Sequence, residues 1–244
     1  MFLRAFVRRF VAEGARAVNE LMIATELAEL AELKELLLTM ASHAESAVRG
    51  AVHALATRDY DLAGRIRDQD ERLDRFEVEV DELAIRLLGR APRSDDLRLI
   101  TVAMKISQNL ERVGDEASKI AKRARDLCQE PPLKLAVEIP QMANLALDLL
   151  KRALDAFVNH DPAAARALIP QDKAVDAMNK QIHGKLAALM VESPDAIPRC
   201  LNLMVVAKSL ERIADHAKNI AEEVVYFCEA RDIRHPAAQR DVRA

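Results

Sequence analysis

Four pairs of acidic residues, each with its members four positions apart, are the side chains of this sequence best suited to chemistry. They are Asp70/Asp74, Glu111/Asp115, Asp172/Asp176 and Glu211/Asp215. On a helix, residues four apart share one face, with Cβ atoms about 5 to 6 Å apart, so each pair brings two like charges together. Paired carboxylates can hold a hard or borderline cation. A single pair could equally be a solvated acidic face relieved by basic neighbours.

An internal repeat favours a site over a solvated face. Glu111/Asp115 lies 100 residues before Glu211/Asp215 within similar segments, and Asp70/Asp74 lies 102 residues before Asp172/Asp176. If the helices that carry them are antiparallel neighbours, the four carboxylates of each half converge, and the repeat predicts a carboxylate-rich metal site in each half. Iron, manganese, magnesium and zinc are the candidate ions, in divalent or ferric form, and the residues do not distinguish among them.

No combination of residues typical of a catalytic centre is found in the sequence. The six histidines are scattered and form no Glu-x-x-His pair of the di-iron type. Cys128, Cys200 and Cys228 have no C-x-x-C spacing and lie in helical segments that we interpret as buried. We therefore predict that the protein is not an enzyme, and we interpret His216, beside Asp215, as a surface or supporting residue rather than a ligand. The competing hypothesis is a metal-storage protein or metal-dependent enzyme that uses the same acidic pairs.

The composition argues against nucleic-acid binding and against a membrane span. A net charge of -3 and an aromatic content of 3%, without Trp, give little attraction for a polyanion and few surfaces for stacking bases. No apolar stretch approaches the roughly 18 to 20 residues of a spanning helix, and the N-terminus lacks the apolar region of a secretory signal. Three unclustered cysteines suit a reducing compartment. These features predict a soluble, cytoplasmic protein.

Helices must position the acidic pairs, because helix-forming residues dominate and apolar residues recur three and four apart. Turn residues and prolines divide the chain into six long helices, with expected spans of 26–58, 60–89, 95–129, 134–159, 162–192 and 196–230. Long helices joined by short turns pack as antiparallel neighbours. The predicted fold is therefore all-α, with two tandem three-helix bundles related by the internal repeat. Pro170 lies inside the fifth expected helix and should kink it or delay its start.

The expected organisation has four parts: an N-terminal amphipathic extension over 1–25, a first repeat over 26–130, a second over 134–236 and a tail over 237–244. In the extension, Phe2, Phe6 and Phe10 recur four apart opposite a basic side. Such a helix could pack on the bundle, on a partner or on a second copy, or it could make peripheral contact with anionic lipid. Translation could instead begin at Met22. The sequence leaves these alternatives open.

The repeated acidic segments resemble the signatures of the PhoU family of phosphate-signalling proteins. Two stretches are similar to the E-R-x-x-D signatures that end that family's repeats: Glu111-Arg112-Val113-Gly114-Asp115, and Glu211-Arg212-Ile213-Ala214-Asp215-His216 with Asn219-Ile220-Ala221-Glu222 after it. Two further segments resemble the D-L-R that opens its third helix and a short motif after its sixth: Ser94-Asp95-Asp96-Leu97-Arg98 and Asp232-Ile233-Arg234-His235. The resemblance covers residues 28 to 236.

This resemblance implies a pair of three-helix bundles, usually dimeric, whose acidic pairs bind metal clusters in some members. It also implies a negative regulator of phosphate uptake and an adaptor in signal transduction. Its partners would be the ATPase of the phosphate ABC transporter and the sensor histidine kinase of the phosphate regulon, both restrained when phosphate is plentiful. The homodimer and these partners rest on the resemblance alone.

The two halves differ around their acidic pairs. Lys119 stands one turn from Asp115, where its ammonium could replace part of a metal's charge, whereas Asn219 holds the equivalent place in the second half. The second half is thus predicted to be the better metal binder. Pro170, just before Asp172, could still shift the second-half pair on the fifth helix.

Overall fold

The computed structural model describes residues 2–68, 71–90, 94–133, 135 and 137–234. Within these ranges the chain forms eight α-helices and no strand. The helices are α1 Phe2–Thr57, α2 Tyr60–Asp68, α3 Glu71–Leu88, α4 Ser94–Cys128, α5 Ile139–Val158, α6 Pro162–Leu168, α7 Asp172–Glu192 and α8 Ile197–Glu229. Short 3-10 turns precede α7 and α8, at Ile169–Gln171 and Pro194–Ala196. The all-α prediction is confirmed.

The same turn ends the first helix of each half. Arg58 follows α1 and His160 follows α5, with φ angles of 57° and 52°, in the left-handed region that stops a helix. The next residue is an aspartate in both cases. Asp59 Oδ1 accepts a backbone N–H bond from the first turn of α2 at 2.8 Å, and Asp161 Oδ1 does the same for α6 at 3.0 Å. The repeat therefore extends to the backbone geometry of the turns.

The middle helix of the second half is interrupted. Of the second expected helix the structure describes α2 and α3, and positions 69 and 70 between them lie outside the described residues. The fifth is divided into α6 and α7 by the 3-10 turn that contains Pro170, as predicted, because proline lacks a backbone N–H and its ring clashes with the preceding turn. The acidic pair on α7 consequently begins at the first residue of a new helix.

Two further helices begin at other residues than expected. Helix α1 is one continuous helix from Phe2 rather than a helix from position 26. The amphipathic character predicted for 1–25 stays a prediction, because the side chains of 1–23 lie outside the described part of the structure. Helix α5 begins at Ile139 rather than at 134, with Pro140 in its first turn, where a missing N–H costs nothing.

Two three-helix bundles pack side by side through their last helices. Helices α1 to α4 form the first and α5 to α8 form the second, with α2 and α3 together, and α6 and α7 together, in the place of the middle helix. Helix α4 packs along α8 in the centre. A single hydrophobic core runs through both bundles and includes Leu33, Leu110, Phe157 and Leu210. This shared core fixes the acid-bearing faces of α4 and α8 relative to each other. None of the described helices is both long enough and apolar enough to cross a membrane.

The three cysteines differ in exposure. Cys200 is buried, as predicted, and Cys128 is partly buried. Cys228 is exposed, so its predicted burial is wrong. It lies in the last turn of α8, where the helix approaches its end and the core that covers its earlier turns stops.

Candidate functional site

The second-half acidic pairs lie on two antiparallel helices, α7 and α8. The Lys218 ammonium pairs with Asp172 Oδ2 at 2.7 Å, and His183 Nε2 lies 3.3 Å from the carbonyl oxygen of Met204. Rising positions on α7 thus meet falling positions on α8, and the two acidic pairs come to the same level of the bundle. The structure brings Asp172/Asp176 and Glu211/Asp215 together.

Asp215 feels the other three carboxylates of this cluster. Burial raises the pKa of Asp215, and the charges of Glu211, Asp176 and, more weakly, Asp172 raise it further against the opposing Lys218 ammonium. Crowded carboxylates with shifted pKa values are typical of functional sites, although structural networks produce them as well. The cluster carries a repulsion that a bound cation would relieve.

Of the buried oxygens at the second-half cluster, Asn179 Oδ1 accepts no hydrogen bond from the described residues, whereas Glu211 Oε2 is paired with the Lys208 ammonium. Asn179 is one turn beyond Asp176 on α7, on the same face. Buried polar atoms normally find a partner. Carboxylate and amide oxygens are ligands that hard cations prefer, so the types of donor atom present suit an ion.

The first-half pairs are more open. Asp70 lies outside the described residues, Asp74 is exposed, and the side chains of Glu111 and Asp115 are partly buried. Asp115 Oδ2 lies 4.0 Å from Lys119 Nζ. The contact predicted between Lys119 and Asp115 is therefore present at the limit of an ion pair.

The sequence analysis did not identify two acids on α3, Glu77 and Asp81, or the residues equivalent to them on α7. In the first half, burial raises the pKa of Glu77, and the carboxylates of Asp81 and Asp74 raise it further, against the opposing Arg112. These three acids follow one face of α3. Extending the 102-residue offset by two turns would have found them, because it pairs Glu77 with Asn179 and Asp81 with His183. The first half thus has carboxylates where the second has an amide and an imidazole.

Glu116, a buried carboxylate between α4 and α8, follows Asp115 in the chain and contacts Arg212, the residue after Glu211. Glu116 is 3% exposed, and its Oε1 accepts from Lys119 Nζ at 3.0 Å and from Arg212 Nη1 at 3.2 Å. Burial opposes its ionisation, but hydrogen bonds from Ser209, Lys119 and Arg212 outweigh that cost and lower the pKa of Glu116. Lys119 therefore serves Glu116 more closely than it serves Asp115.

His216 occupies the equivalent position, 100 residues later. Its Nδ1 lies 3.0 Å from Asn109 Oδ1 on α4, which accepts from it. Burial lowers the pKa of His216, and the positive charge of Arg112 lowers it further. Asn109 and Arg112 precede Ser209 and Arg212 by 100 residues, so the α4–α8 interface is built twice, once around a carboxylate and once around an imidazole. His216 supports this interface, which agrees with its interpretation as a supporting residue.

The motif after α8 anchors the end of the described chain. Arg234 Nη1 donates to Glu223 Oε1 at 2.6 Å, and Lys105 Nζ of α4 donates to the other oxygen of Glu223 at 3.1 Å. Hydrogen bonds from Arg234 also hold the pKa of Asp232 well below its usual range. The segment after α8 is thereby joined to both bundles.

In the second-half cluster, two of the four carboxylates are paired with lysines: Asp172 with Lys218 and Glu211 with Lys208. Within the described ranges, no three His, Cys, Asp or Glu side chains are arranged as a coordination sphere. Ion binding by the second-half cluster would therefore require Lys208 and Lys218 to turn away from Glu211 and Asp172. Both lysines have long, partly exposed side chains, which can make that movement.

Comparison with known proteins places the chain in a family. The model of the PhoU domain matches residues 37–124 and again residues 139–224. The phosphate-specific transport system accessory protein PhoU homolog of Pseudomonas aeruginosa is 40% identical over 85% of this chain and 87% of its own length, and the Escherichia coli K12 protein PhoU is 33% identical over 85% and 87%.

Solved structures agree with the sequence matches. The crystal structure of PhoU from Pseudomonas aeruginosa superposes with a TM-score of 0.80 at 40% identity, covering 84% of this chain and 99% of that one. The phosphate transport system regulatory protein PhoU from Streptococcus pneumoniae superposes with a TM-score of 0.79 at 28% identity, covering 85% and 99%. With its two tandem domains and these full-length relatives, the chain belongs to the PhoU family.

Proposed function

We propose that this protein is a cytoplasmic negative regulator of phosphate uptake and of phosphate-regulon signalling. The observation that carries the proposal is the similarity to proteins named phosphate-specific transport system accessory proteins, at 40% identity over 85% of this chain. In this role the protein acts without catalysis, as an adaptor between the ATPase of the phosphate ABC transporter and the sensor histidine kinase.

Exposed apolar faces supply surfaces for an adaptor and for a homodimer. Ile197, Leu201 and Val205 form an exposed stripe along the first turns of α8, and Val78 and Ile85 are exposed on α3. Contiguous apolar surface of this kind commonly marks a protein–protein contact. We assign partner binding, including a second copy of the chain, to such helical faces.

A gene deletion tests the regulatory role. A strain that lacks the gene should produce alkaline phosphatase in high phosphate, and the restored wild-type gene should repress it again. Affinity purification from cells grown in high and low phosphate should recover the transporter ATPase and the kinase, in amounts that change with phosphate. Normal repression in the deletion strain would contradict the proposal.

We also propose that the acidic pairs bind divalent or ferric ions, with the second half as the stronger site. The specific support is the carboxylate cluster around Asp215, beside which the buried Oδ1 of Asn179 accepts no hydrogen bond from the described residues. Asp172, Asp176, Glu211 and Asp215 would hold the ion in the second half. The first-half set comprises Asp70, Asp74, Glu111 and Asp115. A metal-storage role is the alternative function, and redox cycling or turnover lost on mutation of these acids would favour it.

A further inference from the structure

A cavity of about 330 Å³ lies in the crevice between the two bundles, where the linker crosses from α4 to α5. Its walls are mainly apolar and come from α1, α4, the linker, α5 and α8, including Leu55, Leu127, Leu133, Ile139 and Leu203. This volume falls at the lower end of the range of about 300 to 1,000 Å³ that small-molecule sites occupy. The described residues that line it include no aspartate or glutamate, so the cavity is separate from the acidic clusters.

One wall of this crevice cavity carries a buried cation. Arg199 is only 8% exposed, and its guanidinium donates to the carbonyl oxygens of Pro131 at 3.2 Å and Asp195 at 3.1 Å. Its one carboxylate contact among the described residues, Asp195 Oδ2 at 3.3 Å, belongs to a side chain that is 84% exposed. The buried Nε–H finds no acceptor among the described residues. A buried charge with this little compensation is costly, and an anion in the cavity would reduce the cost.

A second guanidinium stands at the rim. Arg58 lines the cavity and donates to the backbone carbonyls of Cys128, at 3.2 Å, and Glu130. Carbonyl groups orient this cation without neutralising it. The cavity thus combines an apolar body with two arginines, and arginine forks suit carboxylates in particular.

The equivalent crevice of the second half has no arginine at the position of Arg199. There His160 holds the place of Arg58, Cys228 that of Cys128, and Leu99 that of Arg199. The charges that line this second crevice include Asp95 and Asp96 as well as Lys34 and Arg98, and Arg98 pairs with Asp95. The fold therefore builds two related crevices, of which only the first combines an apolar lining with a buried arginine.

We propose that the crevice cavity binds an aliphatic carboxylate, with the chain among the leucines and the head group on Arg199 and Arg58. The ligand would contact both bundles and the linker at once. Its binding would therefore stabilise their relative placement.

Calorimetric titration of the full-length protein with sodium decanoate, below its micelle concentration, tests the proposal. We expect saturable binding of one decanoate per chain. Two control compounds should bind at least about tenfold more weakly than decanoate. Butyrate lacks the long alkyl chain, and decyltrimethylammonium lacks the anionic head group. Arg199→Gln should weaken decanoate binding by about the same factor and remove the preference over the cation.

Two cavity-filling variants keep the test independent of any folding defect in Arg199→Gln. Leu203→Phe fills the crevice cavity and should abolish decanoate binding, whereas Leu99→Phe fills the second crevice and should leave it unchanged. Circular dichroism would establish that both variants are folded. Absence of saturable decanoate binding, equal binding by wild type and Leu203→Phe, or equal loss in both phenylalanine variants would overturn the assignment. None of these results depends on phosphate regulation or on metal.

Discussion

The two acidic clusters share a motif but differ in their surroundings. In the second half, Asp172 is buried and the Glu211 side chain is 15% exposed, whereas the Asp115 side chain of the first half is 50% exposed. Carboxylates in a less solvated site interact more strongly with one another and with a cation. Equal acidic motifs are therefore not equal sites, and burial favours the second half.

The basic neighbours also differ between the two halves. Lys119 lies between Asp115 and Glu116 in the first half, where it can compete with an ion, while Asn219 carries no charge. The second half has its own competitors, Lys208 and Lys218, but they come from other positions. The basic neighbours of one cluster can therefore be substituted while its acidic residues stay unchanged.

The largest effect should come from removing one acid from each cluster in turn. Glu211→Gln removes a carboxylate that we propose as a ligand, and the affinity for Mn²⁺ of the proposed second-half site should fall by at least about 100-fold, since even the loss of a supporting partner costs 10 to 100-fold at metal sites. Equilibrium dialysis with metal analysis would measure it. Glu111→Gln is the matched control and should leave the stronger site intact. An equal loss in the two variants would remove the distinction between the halves.

The repeated α4–α8 interface allows a comparison of stability. Glu116→Ala deprives Ser209, Lys119 and Arg212 of a shared acceptor, so the free energy of unfolding should fall by about 1 to 2 kcal/mol. The loss stays modest because both cations are half-exposed and can regain water. His216→Ala, at the equivalent position, should cost less in urea denaturation at neutral pH. A larger loss in His216→Ala would contradict the central place given to Glu116.

Exchanging the equivalent neighbours should change ion affinity moderately. Lys119→Asn removes a cation about 4 Å from Asp115, which is worth about 1 kcal/mol in water, so the first-half affinity should rise about fivefold. Asn219→Lys should lower the second-half affinity to a similar degree. Titration calorimetry with Mn²⁺ would follow both, and unchanged affinities would show that these neighbours do not set the difference.

The smallest effect concerns the pH dependence of the ion-free protein. Because the pKa of Asp215 is raised in the fold, the native state binds its proton more readily than the unfolded state does. The contribution of Asp215 to stability is thus greatest below its ordinary pKa and is lost as the pH rises through the raised value. Asp215→Asn should therefore gain a few tenths of a kcal/mol over wild type at pH 7, and none near pH 3, in urea denaturation. Asp115→Asn, on a half-exposed side chain, should show no gain; a gain equal to that of Asp215→Asn would refute the explanation.

The sequence predicted much of this comparison. The offset between Glu111/Asp115 and Glu211/Asp215 revealed the repeat, and the break at Pro170 followed from the chemistry of proline. The contact between Glu116 and Arg212 could not be predicted, because it joins residues 96 positions apart across two bundles whose packing no local pattern specifies. The acids Glu77 and Asp81 were missed because their equivalents, Asn179 and His183, belong to other residue types. The burial predicted for Cys228 was wrong because apolar periodicity does not show where a helix extends beyond the core.

The most direct test of the account joins the second-half cluster to regulation. Alkaline phosphatase activity in high phosphate would be measured in strains that carry Glu211→Gln with Asp215→Asn, or Glu111→Gln with Asp115→Asn, at the chromosomal locus. Immunoblotting would establish that the variants accumulate equally. The account predicts strong derepression in the second-half strain and weak derepression in the first-half strain. Full repression in the second-half strain would contradict it.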